Sequence, residues 1–450
     1  MQVNYKFIAA DCPYFWEVKK IFLIIIITAH LAKGQDINVC KQRFNQYLNY
    51  HGQLNNAVHF DQQSIRLKNA SGKNDWCVYA NEIKALAAYF ESCSSAEILS
   101  FMNKKACQKL SAKQLDSLSL KQKKSFTKNK QSNKPLAGLK VAIDAGHFGT
   151  NLKDAAAEQK FLKIVRENNA DTLLIFESLL TFQTASLTKM YLEEMGAEVF
   201  LSRMQANYTS FNCSFDDWMK NQRQRTLDSL FVAGTMNKVK LNQLSTCNAY
   251  KFFWDFFREF ELANRAKKIN DFQPDITVII HYNVNEKNAP WKKTSDKNFT
   301  MTFMPGAFTK NDFDKADSKA NFLRLLISNQ LNQSERLSAL TVNHFSKYLS
   351  ITKAQSADAS YLAENCLKTG SEGVFCRNLY LCRKVNSVMV YGEALYQDNE
   401  KEIEMLRKND LHVNDMQTNL RVQEVAKCYF DAVMDYFKWS NFLRQDAKLF

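Results

Sequence analysis

The sequence predicts an α/β domain with a mostly parallel, twisted sheet flanked by helices, preceded by a small helical, disulfide-rich module. Three observations carry this. Short β-type runs at Leu139–Asp144, Ala197–Leu201, Asp275–Ile280 and Ser387–Tyr391 alternate with longer segments of helical apolar spacing, and such alternation builds a parallel sheet. Only 12 Gly and 5 Pro occur in 450 residues, which excludes collagen-like, Pro-rich and all-β repeat chains. Four of the cysteines fall in or just after residues 36–100, ahead of the alternating region. Apolar residues at 46% and charged ones at 24% are ordinary globular values and exclude a largely disordered chain.

In chain order, Lys19-Lys20 precede the apolar stretch Ile21–Ala32, with small residues at Ala32 and Gly34. This pattern predicts a signal peptide over 1–34, cleaved near Gln35, and so a periplasmic or secreted protein that meets the membrane only through its leader. The run is short for a bilayer span, and an uncleaved anchor is the alternative. Of eleven Cys, Cys12 leaves with the leader and ten remain. An even number in an exported chain suits disulfides. Local pairing is expected, among Cys40, Cys77, Cys93 and Cys107 and between Cys213 and Cys247. No CxxC pair occurs, which disfavours a cysteine zinc ribbon.

Residues 35–103 read as a small helical Cys-containing domain, from the spacing of Ile83, Leu86, Ala87 and Phe90. A Lys-rich linker follows over 104–138. Residues 104–140 hold eleven Lys and one acid, Asp116, and supply +10 of the net +14. The basicity therefore belongs to a linker. Such a segment is solvated and flexible, and a second role is adhesion to an anionic polymer. It lacks interleaved aromatics, which argues against nucleic acid as a partner.

The α/β domain spans 139–450. Its first strand runs into Ala145-Gly146-His147, and a helical stretch over Asp171–Met195 stops at Gly196 before the strand Ala197–Leu201. A helix over Phe252–Asn270 leads to a buried strand ending at His281. Thr300–Phe303 is a further strand, with helices around 314–329 and 333–349. The last strand ends in Gly392-Glu393, and helices near 398–407 and 416–438 close the chain.

In open α/β sheets functional groups gather beyond the carboxyl ends of strands. His147, His281 and Glu393 sit at such ends. Two imidazoles, one carboxylate and an open position make a catalytic zinc site. Glu177, on the adjoining helix, is the natural acid; Asp154, Glu158 and Glu167 in the preceding loop compete with it. By themselves these positions also suit structural histidines and an ordinary strand-end acid. His51, His59, His344 and His412 have no comparable context.

Val141–Gly149 reads Val-Ala-Ile-Asp-Ala-Gly-His-Phe-Gly and resembles the opening motif of zinc-dependent N-acetylmuramoyl-L-alanine amidases, in which a strand runs into Asp-x-Gly-His-Gly-Gly. Glu177 to Ser202-Arg203 is similar to that family's Glu-led helix, Gly turn and strand. Arg265–Asn270 with Pro274–Asn283, and Val385–Asn399, resemble its Arg-x-x-x-Ala-Asn, Ser-Ile-His-x-Asn and Val-Glu-x-Gly-Phe-x-Ser-Asn segments. The four motifs fall in the family's order across residues 139 to about 438.

The resemblance implies that His147, Glu177 and His281 ligate Zn²⁺ and that Glu393 is the general base. The implied substrate is peptidoglycan, cleaved at the amide between N-acetylmuramic acid and L-alanine, and a protein activator is a further implied partner. It implies for Asn283 and Arg265 the fixing of loops, and for Asp144 a turn or an acceptor that orients an imidazole. The chain departs from the family pattern in three places. Phe148 stands where the family has Gly and would narrow the room beside the metal; Glu393 is followed by Ala394-Leu395-Tyr396; and an insertion over 204–264, with Cys213, Trp218 and Cys247, reads as a lid or as a surface excursion. The competing functions are a non-catalytic peptidoglycan-binding or division-associated protein on the same fold, and a zinc peptidase for another amide.

Overall fold

The computed structural model describes residues 36–69, 71–119, 133–165, 172–288 and 291–446. The expected signal peptide, Cys12, Glu167 and the middle of the Lys-rich stretch lie outside the described residues. Strands in chain order are β1 (Val58–Phe60), β2 (Ser64–Lys68), β3 (Asn74–Tyr79), β4 (Lys140–Ala145), β5 (Phe161–Val165), β6 (Thr172–Phe176), β7 (Glu198–Leu201) and β8 (Ile276–Asn283). They continue as β9 (Phe299–Met304), β10 (Thr352–Lys353), β11 (Cys366–Lys368), β12 (Val374–Arg377), β13 (Val388–Tyr396), β14 (Leu411–Val413) and β15 (Met416–Thr418).

The main sheet runs β11-β12-β9-β13-β8-β4-β7, with β10 beside β9. Pairs β4/β7, β4/β8, β8/β13, β9/β12 and β9/β10 are parallel. Only β9/β13 and β11/β12 are antiparallel, so the sheet is mixed and mostly parallel, as expected. Alternate residues feed two cores. Val141, Ile143, Val278 and Ile280 pack on the helices Glu177–Glu194, Gln330–Leu349 and Leu420–Asp446. Ala142, Ile279 and Met389 face Ala266, Ile269 and Leu362 on the other side. Burial of both faces is why these strands are continuous apolar runs in the sequence.

Two expected boundaries shift for one reason. The stretch read as a single helix over Asp171–Met195 is strand β6 followed by a helix that begins at Glu177. β6 pairs with β5 as a hairpin, and its Leu-Leu-Ile-Phe run abuts the helix with no capping side chain between them, so the apolar spacing reads straight through. Likewise the last helix starts at Leu420, because β14 and β15 form a hairpin ahead of it.

The N-terminal region contains the expected helices and a disulfide, Cys77–Cys107, and also a three-stranded antiparallel sheet, β1-β2-β3. These strands are three to six residues long, too short and too polar at their flanks to show a period-2 pattern. Helix Ser95–Lys105 starts from a Ser94/Glu97 capping box. The Lys-rich stretch carries a short helix at Ala112–Ser119, with Leu118 buried. Leu48, Phe90 and Ile98 share one core with Leu326, Ile327 and Leu331 of the α/β domain, and Arg43 Nε donates to Asn332 Oδ1 at 2.7 Å.

The pairing expected among Cys40, Cys77, Cys93 and Cys107 is realised only as Cys77–Cys107, with Cys40 and Cys93 outside any disulfide. The expected Cys213–Cys247 disulfide is not formed; both are thiols. Cys247 Sγ lies 3.5 Å from Arg223 Nη2, and the insertion is held instead by a cluster of Phe215, Trp218, Phe252, Phe253 and Phe257. Stacked and edge-on rings stabilise such a core without a covalent link. Among the described residues, no helix is long and apolar enough to cross a membrane.

Candidate metal centre

Strands β4, β8 and β13 are adjacent and parallel, so their carboxyl ends deliver His147, His281 and Glu393 to one place. Glu393 is in direct register with His281. Glu177 arrives from the side as the first residue of its helix, where the helix dipole favours a carboxylate. Glu177 Oε1 lies 3.2 Å from His147 Nε2 and 3.1 Å from His281 Nδ1. It also accepts from the Tyr282 amide at 3.3 Å, while Oε2 accepts from Gln397 Nε2 at 3.3 Å. The two imidazoles meet edge to face with centroids 4.9 Å apart. One ligand-type atom from each of His147, Glu177 and His281 lies within 4.8 Å of the others.

The loop under the site is clamped by two buried guanidiniums. Arg265 donates to Ala145 O at 2.7 Å and His147 O at 3.1 Å, and Arg203 donates to Ala145 O at 3.1 Å and Ser178 O at 2.6 Å. These hold His147 at φ +60°, a left-handed conformation that is uncommon for a non-glycine residue. Gly146 is needed for a different reason. A Cβ there would sit 2.3 Å from the His281 ring. Asn283 donates to Tyr361 Oη at 2.7 Å.

Asp144, expected as a turn former or an imidazole's acceptor, instead pairs with Arg265 Nη1 at 3.3 Å. The acceptor for His147 is Glu158, whose Oε2 lies 3.2 Å from Nδ1; its Oε1 takes the amides of Phe148 and Gly149 at 3.0 and 2.8 Å. Glu158 thus orients an imidazole, and Asp154 is tied to Asn151 at 3.0 Å. Tyr391 stacks on His281 at 4.5 Å and 6°, a contact missed from the sequence although Tyr391 lies two residues before Glu393 on the same strand face.

The charges in this cluster do not balance without help. Burial alone would push the His147 imidazole down, yet the Glu177 and Glu158 carboxylates hold it up at about 9. Burial and the positive charge on His147 push His281 down to about 4, against the pull of Glu177. Glu177 is held well below the usual carboxylate range by the two imidazoles despite burial, and Glu158 is held below it too. Glu393 moves the other way, up to about 8, through burial and the negative charge of Glu177. Its Oε2 is buried with no hydrogen-bond partner. Two imidazole nitrogens and a carboxylate oxygen converging beside an unpartnered buried carboxylate fit a divalent cation of the zinc type. Such an ion, held by His147, Glu177 and His281, would take the place of the proton on His147.

A cavity of about 380 Å³ opens beside His147, His281 and Tyr391, with Phe253 and Trp254 of the insertion on one wall and Tyr380 and Leu381 on another. The insertion therefore borders the cleft. Phe148, expected to crowd the metal, packs its ring among Phe215, Phe253 and Phe257 at centroid distances of 5.5, 5.9 and 6.0 Å. It anchors the insertion core.

Fold and site together define a mostly parallel α/β domain with a His-Glu-His donor set at the carboxyl ends of its central strands. The model of the N-acetylmuramoyl-L-alanine amidase family matches residues 141–418, and the chain belongs to that family. Similar solved structures include the CwlD amidase of Clostridioides difficile, in complex with the GerS lipoprotein, at 15% identity over 67% of this chain and 98% of that one, TM-score 0.36. The catalytic domain of the amidase CwlV from Bacillus (Paenibacillus) polymyxa var. colistinus is 15% identical over 67% and 98%, TM-score 0.35. Ami1 of Mycobacterium smegmatis is 11% identical over 67% and 98%, TM-score 0.38. A comparison with curated protein sequences gave no match.

Proposed function

We propose that this protein is a zinc-dependent amidase that hydrolyses the bond between N-acetylmuramic acid and L-alanine in peptidoglycan. The observation that carries the reading is the convergence of His147, Glu177 and His281 donor atoms within 4.8 Å, next to the unpartnered carboxylate of Glu393. In this reading His147, Glu177 and His281 hold the ion. Bound there, Zn²⁺ supplies Lewis acidity, which brings water's pKa toward neutrality and polarises the amide carbonyl. Glu393 takes the proton from the attacking water and delivers it to the leaving amine. Burial raises the Glu393 carboxyl, and an enclosed carboxyl group beside the ion is of the type that can both accept and return a proton. Glu158 fixes the His147 ring through Nδ1, and Tyr391 backs the His281 ring.

The proposal also includes export through a leader over 1–34 to the periplasm or outside, a module over 35–103, a basic linker over 104–138 and a catalytic domain over 139–450. Peptidoglycan carries carboxylates, and the linker would favour its surface at low salt. The solved CwlD amidase is in complex with the GerS lipoprotein, and a protein activator is the corresponding proposal for this chain.

The test is incubation of the leader-free protein with purified sacculi, with and without chelator, followed by mass spectrometry. Release of intact stem peptides beginning with L-alanine is expected, abolished by chelator and restored by zinc. The Glu393→Gln variant should keep stoichiometric zinc and lose about 10²-fold or more in rate. Zinc binding without release supports the non-catalytic wall-binding protein, and peptides cut elsewhere support a peptidase.

A further inference from the structure

Charged side chains around the cleft divide sharply by whether they have partners. The acids Asp144, Glu158 and Glu261 are engaged, two of them by Arg265 and Glu158 by His147. The cations Lys160, Arg258 and Arg377 also line the cavity. Among the described residues their side chains make no hydrogen bond or ion pair; each lies over an aromatic ring. Arg377 sits 4.8 Å from the Tyr361 ring and 5.1 Å from Phe303, Arg258 sits 4.9 Å from Trp254, and Lys160 sits 4.8 Å from Trp291. Stacking fixes the plane of a guanidinium while leaving its edge donors unused. Arg377 is half-buried and Arg258 exposed at the mouth, and two such forks lining one concave cavity suit bidentate recognition of carboxylates.

We infer that Arg258 and Arg377 form a carboxylate-binding subsite that anchors the peptide part of the substrate. This rests on the amidase reading above. Chemistry then decides which part of the substrate the subsite takes. The lactyl carboxyl of N-acetylmuramic acid is consumed in the scissile amide, so the free carboxylates lie on the peptide. Arg258 belongs to the helix that leaves the insertion, and Arg377 ends strand β12. The insertion that departs from the family pattern thus contributes a specificity-determining cation, with Trp254 as its support.

The experiment compares two synthetic N-acetylmuramoyl dipeptides, one ending in L-Ala-D-Glu with free carboxylates and one with those carboxyls amidated. Cleavage (kcat/KM) and binding, followed by tryptophan fluorescence, are measured on wild type, Arg258→Gln and Arg377→Gln. Wild type should prefer the free acid by about tenfold, mainly through KM, and each Gln variant should shrink that preference at least threefold. Because the readout is a ratio within each variant, a partly destabilised protein still reports on it. Arg377→Lys should keep part of the preference. No preference in wild type, or a preference unchanged in both Gln variants, overturns the subsite. If neither compound is cleaved, the amidase reading fails, while the binding ratio still decides whether the carboxylate anchor exists.

Discussion

Two buried ionic clusters share the carboxyl end of the sheet, and they are built on opposite principles. Around Arg265, the guanidinium meets Glu261 at 2.7 Å and Asp144 at 3.3 Å, and its remaining donors go to backbone carbonyls. That group is closed and satisfied, and Arg265 is held firmly protonated by its two acids against burial. Beside it, Glu158 and Glu177 share the imidazoles of His147 and His281 and a few amide donors, while one oxygen of Glu393 is buried without a partner. A proton on His147 offsets only one of the ionised carboxylates Glu158 and Glu177, whereas a divalent cation would offset both. A satisfied network fixes the loop; an unsatisfied one next to it is a site.

The comparison is broken most severely at Arg265. Arg265→Ala strands two buried acids and should cost about 3–5 kcal/mol in urea unfolding, with or without metal; a loss under about 1 kcal/mol would mean that the clamp is not structural. Next, Glu177→Ala should remove stoichiometric zinc, read by elemental analysis of the purified protein, while lowering metal-free stability less than Arg265→Ala does. Glu158→Gln should keep the zinc but weaken it about 10- to 100-fold, measured by competition with a chelating dye.

The smallest effect is one of pH. Without metal, His147 titrates near 9, above its unfolded value of about 6.5. Its contribution is therefore fully present below about 6.5 and is lost as pH rises through 9. The melting temperature of chelated protein should fall across that window, and zinc should remove the slope, since the bound ion takes the place of the proton.

How much was readable in advance follows from locality. His147, His281 and Glu393 each end a strand whose apolar run is local, so sequence placed them together once the sheet was parallel. Glu177 was reached through its helix, although β6 ahead of it was hidden in the same apolar spacing. Glu158 appeared only as a competing acid, because nothing near it in the chain says that Oε2 will reach His147 Nδ1. Arg377, Tyr391 and the anchoring role of Phe148 were invisible, since each acts through partners brought by distant segments.

The amino-acid order by itself determined the alternating architecture, the family and the residues that meet at the strand ends, because apolar periodicity and short motifs act over a few neighbours. Tertiary structure decided which acid orients His147, that Cys213 and Cys247 stay apart, and that the N-terminal region shares a core with helices more than two hundred residues away. Those outcomes depend on burial and charge pairing between remote segments, whose energies exist only once the chain has closed on itself.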